Sequence, residues 1–181
     1  MTDEPDAQLV KRVLAGETQT YAQLVDRYRD RLGRYAVRML GNQADAEDAL
    51  QDTFVRGYRS LANCTKPEGF GPWVFGILVN RCRTNAARRA RINQVMVTNE
   101  VAIANASVAH SEDQDAIRDA IGWALGQLPA EQREAFVLKH VEDLSYEDME
   151  TMTGVRPSAL RMRVFRAREE LRKLLAEEVL D

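Results

Sequence analysis

The stretch LSYEDMETMTGVRPSALRMRVFRAREELRKLL, Leu144–Leu175, contains two helical patterns separated by a short turn, Thr-Gly-Val, at residues 153–155. Two helices joined by a three- or four-residue turn that contains glycine are typical of a helix-turn-helix. Seven basic and two acidic residues lie between Arg156 and Lys173, although the whole chain has a formal net charge of −3. A polyanion responds to such a local patch rather than to the total charge. The stretch therefore predicts a DNA-binding helical hairpin.

The apolar spacing predicts which side of each helix is buried. The inward set is Leu144, Tyr146, Met149, Met152, Val155, Leu160 and Val164. The other side of the second helix carries the candidate DNA-binding residues, which are Ser158, Arg161, Met162, Arg163 and Arg166. The major groove admits one α-helix, arginine is its commonest base reader, and a serine near the helix N-terminus is placed to donate to a phosphate. The alternative is a solvated charged face on an ordinary hairpin, and the bases and acids from Arg168 to Lys173 fit that alternative.

The composition indicates a core-forming, all-helical protein. The chain has 181 residues, of which 45% are hydrophobic and 29% charged, with five prolines. The sequence contains no run of about 18 apolar residues, so it predicts no membrane span. The first residues, MTDEPDAQLV, are acidic and lack the apolar region of a signal peptide. We therefore expect a cytoplasmic protein that does not insert into a membrane.

The residues that carry metal and catalytic chemistry are sparse. Cys64 and Cys82 are expected to be reduced thiols, because cytoplasmic disulfides are uncommon. His110 and His140 lie far from any cysteine pair with metal-ligand spacing. We also find no nucleophile–base set and no glycine-rich phosphate loop. The sequence therefore predicts no metal, no cofactor and no enzymatic activity.

The helical patterns divide into two groups. The first group covers residues 1–92, including a predicted loop at 62–71 and a helix whose first turn contains Pro72. Residues 93–112 lack a clean helical period and are predicted to be a flexible linker. The second group covers residues 113–181, where Phe136, Val137, Leu138 and Val141 are predicted to face inward. The predicted fold is therefore all-α, with two small helical domains, a helical bundle and a helix-turn-helix, joined by the linker.

Charge is also segregated in the first group. Residues 45–52, DAEDALQD, contain four acids and no bases, and spacings of three and four put Asp48, Gln51 and Asp52 on one helical face. Residues 80–91, NRCRTNAARRAR, contain five arginines and no acids. A solvated acidic first turn that favours its own helix dipole would explain the first of these segments without any partner. The second segment indicates another surface for a polyanion.

Two long segments resemble a known family. GNQADAEDALQDTFVRGYRSL, followed by FGPWVFGILVNRCRTNAARRAR, resembles region 2 of the extracytoplasmic-function (ECF) sigma factors, the smallest members of the sigma-70 family. LPAEQREAFVLKHVEDLSYEDMETMTGV, with RVFRAREELRKLL, resembles their region 4. The resemblance covers about residues 6–92 and 113–176. It implies a sigma factor that binds core RNA polymerase, at the β′ clamp helices and the β flap, and directs promoter recognition and transcription initiation.

The resemblance also implies roles for individual residues. Core-polymerase binding would use Asp45, Asp48, Gln51 and Asp52. Recognition of the −10 promoter element would use Asn80, Arg81, Arg83, Asn85 and Arg88, with Asn63 and Lys66 from the loop that captures an unstacked base. The −35 element would contact the helix-turn-helix residues given above. The family also implies an anti-sigma factor as a partner that clamps the two domains together.

One departure from the family pattern concerns the −35 residues. Met162 stands where a small hydroxyl residue is usual, and Ala159 also lacks the usual hydroxyl. Phosphate contacts made by those hydroxyls are therefore not expected here. Two alternatives remain open, namely a stand-alone helix-turn-helix regulator and a sigma-like decoy that binds an anti-sigma factor but no promoter. Core polymerase binding would exclude the first, and promoter-specific transcripts would exclude the second.

Overall fold

The computed structural model describes residues 4–95 and 112–178 of the chain, and within these ranges it contains helices and no strands. This confirms the all-α prediction. The helices are α1 (Asp6–Leu14), α2 (Tyr21–Leu40), α3 (Gln43–Arg59), α4 (Phe70–Val95), α5 (Glu112–Gln127), α6 (Ala130–His140), α7 (Tyr146–Thr153) and α8 (Pro157–Glu178). Short 3₁₀ turns cover Thr18–Thr20, Leu61–Asn63 and Pro67–Gly69. No helix in the described ranges is long and apolar enough to cross a membrane. Most of the predicted linker, residues 96–111, lies outside the described residues.

The helix boundaries follow from capping residues. Gly41 ends α2 with a φ of 73°, a left-handed conformation that glycine adopts without strain. Asn42 then begins α3, and its side chain accepts a hydrogen bond from the Asp45 backbone N–H at 2.8 Å. In the helix-turn-helix, Ser145 caps α7 by accepting from the Asp148 N–H at 3.0 Å. Gly154, with a φ of 67°, ends α7 and makes the turn toward α8.

The N-terminal half, residues 4–95, packs α2, α3 and α4 around one apolar core, with α1 and the 3₁₀ turns across it. Fully buried members of this core include Leu24, Tyr35, Phe70 and Leu78. Tyr21 donates to the carbonyl of Phe54 at 2.9 Å and thereby joins α2 to α3. Burial of each large apolar side chain stabilises the fold by roughly 1.5–3 kcal/mol. This core holds the acidic helix α3 beside the arginine-rich helix α4.

The C-terminal half, residues 112–178, packs α6 and α7 against the long helix α8. Leu138, Met149, Leu160 and Val164 are buried in this half, as the apolar spacing predicts for all four. Val141 was predicted to face inward, and that prediction is wrong, because Val141 is 42% exposed. The reason is that α6 ends at His140, so Val141 lies past the last helical residue and no longer follows the helical period.

Candidate nucleic-acid and protein interfaces

The acidic helix α3 presents two of its predicted polymerase-binding residues to solvent. Asp48 and Gln51 are exposed, and among the described residues neither side chain has a hydrogen-bonding or ionic partner. Val55 continues the same face one helical turn after Gln51 and is 41% exposed. Val55 is not among the residues predicted from the sequence, although its spacing of seven residues from Asp48 places it on the same helical face. The three residues form a small exposed surface with acidic, polar and apolar parts.

The other two predicted polymerase-binding residues have partners within the chain. The Asp45 carboxylate accepts from Asn42 Nδ2 at 2.8 Å, so it takes part in capping α3. The Asp52 carboxylate accepts from Arg56 Nε at 2.8 Å and also pairs with Arg81 of α4. Asp52 therefore links the acidic helix to the arginine-rich helix, a contact that helical periodicity along one segment does not reveal.

The arginine-rich helix α4 has two different sides. Successive helical residues are 100° apart, so Arg81, Asn85 and Arg88 lie on one side and Arg83 lies on another. Arg88 and Asn80 are exposed, and Asn85 is half-buried. The side with Arg81, Asn85 and Arg88, and with Asn80 at its margin, carries the other predicted polar residues of this helix, of which Arg81 is paired with Asp52.

Arg83 points toward the C-terminal half. Its Nε donates to the two carboxylate oxygens of Glu134 in α6 at 2.9 and 2.7 Å. Its Nη1 donates to the carbonyl oxygen of Thr153, the last residue of α7, at 2.7 Å. Burial raises the pKa of Glu134, and the hydrogen bond and positive charge of Arg83 oppose that rise. The structure therefore places this predicted DNA-binding arginine in a contact between the two halves.

The predicted base-capturing loop is short and shaped by the two 3₁₀ turns at Leu61–Asn63 and Pro67–Gly69. Asn63 and Lys66 are both exposed on it. Cys64 between them is buried, and its thiol donates to the Lys66 carbonyl at 3.4 Å. Helix α4 begins at Phe70, inside the predicted loop of residues 62–71, and its first turn contains Pro72 as predicted. Phe70 is fully buried in the core. The two polar side chains thus extend from an anchored loop.

Helix α8 exposes most of its predicted DNA-binding residues. Ser158, Arg161, Met162 and Arg166 are all exposed, and Met162 is 51% accessible. The Arg161 guanidinium lies over the Tyr146 ring at 5.1 Å, a cation–π contact that orients it. Phe165 is 60% exposed and lies three residues after Met162 on the same face. Sequence reasoning missed Phe165, although its spacing from Ser158 and Met162 pointed to this surface.

Arg163 differs from the other predicted residues of α8. It is half-buried, and its Nη2 pairs with the Glu131 carboxylate of α6 at 2.6 Å. The exposed face of α8 therefore consists of three polar or basic residues with two apolar side chains, Met162 and Phe165, among them. Apolar side chains contact the thymine methyl group and arginine contacts guanine, so this face has the chemistry for a major groove.

The remaining chemistry of the described residues is structural. Cys64 and Cys82 are both buried free thiols, and burial raises the pKa of Cys82 to about 12. Within residues 4–95 and 112–178, no group of three histidine, cysteine, aspartate or glutamate side chains is placed to hold a metal ion.

Comparisons with known proteins agree with this arrangement. The family model described as Sigma-70 region 2 matches residues 24–92, and the one described as Sigma-70, region 4 matches residues 118–171. The chain is 32% identical to the RNA polymerase sigma-H factor of Pseudomonas aeruginosa, over 97% of this chain and 96% of that protein. It is 35% identical to the ECF RNA polymerase sigma factor SigE of Mycolicibacterium smegmatis, over 87% of this chain and 62% of that protein.

A solved structure shares the fold. The sigma factor RpoE, in its complex with the anti-sigma factor NepR from Bartonella quintana, superposes with a TM-score of 0.69 at 26% identity. The match covers 86% of this chain and 96% of that one. Two region models match this chain, and relatives of 32% and 31% identity, the second an ECF RNA polymerase sigma factor, are covered over 96% and 86% of their own length. The chain belongs to the ECF group of the sigma-70 family.

Proposed function

We propose that this sigma factor binds core RNA polymerase and places it at promoters by contacting two promoter elements with its two halves. The observation that carries the proposal is the exposed face of α8, where Ser158, Arg161 and Arg166 surround two apolar side chains. That face follows a helix-turn-helix turn, and the chemistry of its side chains matches that of base edges and phosphates. The protein acts by binding and performs no catalysis of its own.

We assign the −35 element to α8 and the −10 element to α4 with its preceding loop. The −35 residues are Ser158, Arg161, Met162 and Arg166, to which we add Phe165. The −10 residues are Asn63, Lys66, Asn80, Arg81, Asn85 and Arg88, together with Arg83 once its contact to Glu134 is released. Arginines bind phosphates, and the exposed Asn63 and Lys66 of the loop would contact an unstacked base.

We assign core polymerase binding to the α3 surface formed by Asp48, Gln51 and Val55. Charged side chains on such a surface steer the encounter and fix the orientation, while the apolar residue adds buried area. Asp45 and Asp52 support this surface indirectly, because Asp45 accepts a hydrogen bond from the capping residue Asn42 and Asp52 pairs with Arg81. The proposed domain limits remain residues 1–92, 93–112 and 113–181, and the proposed location is the cytoplasm.

Two tethered halves explain how small interfaces recognise a promoter. A single DNA-binding module buries roughly 600–1,000 Å² of protein surface, which gives limited affinity. Once one half is bound through the polymerase, the second half binds at a high effective concentration. An anti-sigma factor that contacts both halves would block this arrangement, and the chain's similarity to a sigma factor solved with an anti-sigma factor supports such a partner.

Run-off transcription with purified core polymerase over genomic fragments, followed by mapping of start sites, tests the proposal. We expect discrete start sites that share two upstream elements. Arg161→Ala should weaken dependence on the upstream element, and Arg88→Ala should weaken dependence on the downstream one. Glu150→Ala, an exposed change of charge on α7, serves as the control. Polymerase binding without promoter-specific transcripts would instead support the decoy alternative.

A further inference from the structure

The exposed face of α8 has apolar side chains near its centre and arginines at its edges. Successive helical residues are about 100° apart, so Met162 and Phe165 lie about 60° from each other around the axis. Arg161 lies about 40° beyond Phe165 on one side, and Arg166 lies about 40° beyond Met162 on the other. Ser158 is one helical turn before Met162, in the first turn of α8. Past that first turn, the middle of this face is therefore formed by a methionine and a phenylalanine.

The buried side of α8 fixes the direction in which this face points. Leu160, Ala167 and Leu171 are buried in the C-terminal half. Their common direction around the axis is about 180° from the midpoint between Met162 and Phe165. Met162 is 51% exposed and Phe165 is 60% exposed, as expected for side chains that point away from the core. A helix that enters the major groove with its solvent side first therefore brings these two side chains closest to the base edges.

The arginines of α8 reach such a groove from its sides. The Arg161 guanidinium lies over the Tyr146 ring of α7 at 5.1 Å, which holds it at the edge of the face. Arg163 lies about 60° beyond Arg166, further from the centre, and pairs with Glu131 at 2.6 Å. Positive charge at the edges suits the two sugar–phosphate backbones that border a groove. The edges and the centre of the face therefore have different binding chemistry.

The chemistry of the centre favours one base. In the major groove, thymine presents a C5 methyl group, whereas the other bases present hydrogen-bond donors and acceptors. Covering a donor or acceptor with Met162 would leave it without a partner, which is unfavourable. Covering a methyl group removes apolar surface from water, which is favourable. Methionine is also unbranched and flexible, so it can adapt its side chain to the position of the methyl group.

We propose that Met162 is a specificity-determining residue, whose side chain contacts the C5 methyl group of a thymine, on either strand, within the −35 element. Phe165 lines the other side of the same apolar contact. This inference rests on the function proposed above and deepens it, because it names a base that α8 selects. Arg161 and Arg166 supply attraction to DNA at the edges of the face, and Met162 supplies discrimination at its centre.

Promoter fragments that carry uracil in place of thymine test the inference with the complex of this sigma factor and core polymerase. Uracil lacks the C5 methyl group and keeps the hydrogen bonds of the base pair. Mapped start sites locate the upstream element, in which each thymine of both strands is replaced in turn. For the wild type, we expect replacement of the contacted thymine to weaken binding about fourfold, the effect of one buried methyl group. Replacements in the downstream element are the DNA control, and their effects should not depend on Met162.

Two variants connect this preference to one side chain. Met162→Ala should bind the thymine and uracil fragments equally, because the side chain that contacts the methyl group is gone. Met162→Ser should lose the preference as well, even if its hydroxyl adds affinity, so selectivity is measured apart from affinity. Met162 is 51% exposed, and neither variant should lower the melting temperature. Lys173→Ala, an exposed change near the end of α8, is the matched control and should keep the fourfold preference.

Three results would overturn the inference. The first is an upstream element that contains no thymine on either strand. The second is a wild type that is indifferent to uracil at every upstream position, and the third is a Met162→Ala variant that keeps the whole preference. In each case promoter-specific transcripts would leave the proposed function intact. The absence of such transcripts would refute the proposed function itself, and the inference with it, so the two failures are distinguishable.

Discussion

Helix α4 approaches α2 closely at Gly71. Replacing Gly71 by alanine should therefore lower the free energy of unfolding, whereas the same replacement at an uncrowded position of α4 should raise it. A Cβ added at Gly71 would lie 2.7 Å from both Cε1 and the hydroxyl oxygen of Tyr28. That ring is not free to move away, because its hydroxyl donates to Asp6 and its face packs near Phe70. Overpacking of this kind typically costs about 1–3 kcal/mol. Gly71→Ala should therefore lower the free energy of unfolding, even though alanine favours a helix over glycine by about 1 kcal/mol.

Gly76 in the same helix supplies the control. No atom lies within 4 Å of the Cβ position there, so Gly76→Ala adds helix propensity without a clash. We expect it to raise the free energy of unfolding by about 0.5–1 kcal/mol. Urea denaturation monitored by circular dichroism measures both variants against the wild type, with the midpoint as the readout. If both variants raise the midpoint by the same amount, the close contact between Gly71 and Tyr28 is not present in solution.

Four further predictions concern the surfaces and buried groups. Asp48→Ala should weaken binding to core polymerase about tenfold in a fluorescence titration, because it removes an exposed charge from the proposed α3 surface. Phe165→Ala should weaken promoter binding by the polymerase complex without lowering the melting temperature, because Phe165 is 60% exposed. Cys82 should resist alkylation at pH 8 in the native chain and react after unfolding in urea, because burial raises its pKa to about 12. Burial also raises the pKa of Glu134, so the folded chain holds that proton more tightly than the unfolded chain does. The free energy of unfolding should consequently fall as the pH rises from the ordinary carboxyl pKa through the raised value, and Glu134→Gln should flatten that part of a urea-denaturation pH profile.

Local sequence patterns predicted the features that depend on neighbouring residues. The helix-turn-helix follows from apolar spacing and from Gly154, whose positive φ the turn requires. The Ser145 cap is likewise local, because its hydroxyl accepts from the Asp148 backbone N–H, three residues later, at 3.0 Å. These features need only a few consecutive residues, so one sequence is sufficient to predict them. The exposure of Ser158 and Arg161 on α8 follows from the same periodicity.

The partners of the arginines could not be predicted in the same way. Arg83 and Glu134 are 51 residues apart in the chain, and their pairing depends on how two separate groups of helices pack. Helical spacing predicts that a residue lies on a given face, but it does not identify what covers that face. Arg163 illustrates the difference, since it lies on the predicted helix yet pairs with Glu131 of α6. A run of arginines therefore predicted positive charge and left open how much of it faces solvent.

The internal pairs change how the positive charge of this chain should be understood. Three arginines with predicted DNA roles already face a carboxylate in the described residues, and they are Arg81, Arg83 and Arg163. Each pair brings an acid to a basic surface, so the free protein presents weaker positive patches than its sequence suggests. In the function proposed above, DNA phosphates would displace those carboxylates, and holding the halves at the promoter would favour that exchange. The acidic net charge and the arginine-rich helices are thus consistent with one another under the proposed function, because paired acids would weaken non-specific DNA binding by the free chain.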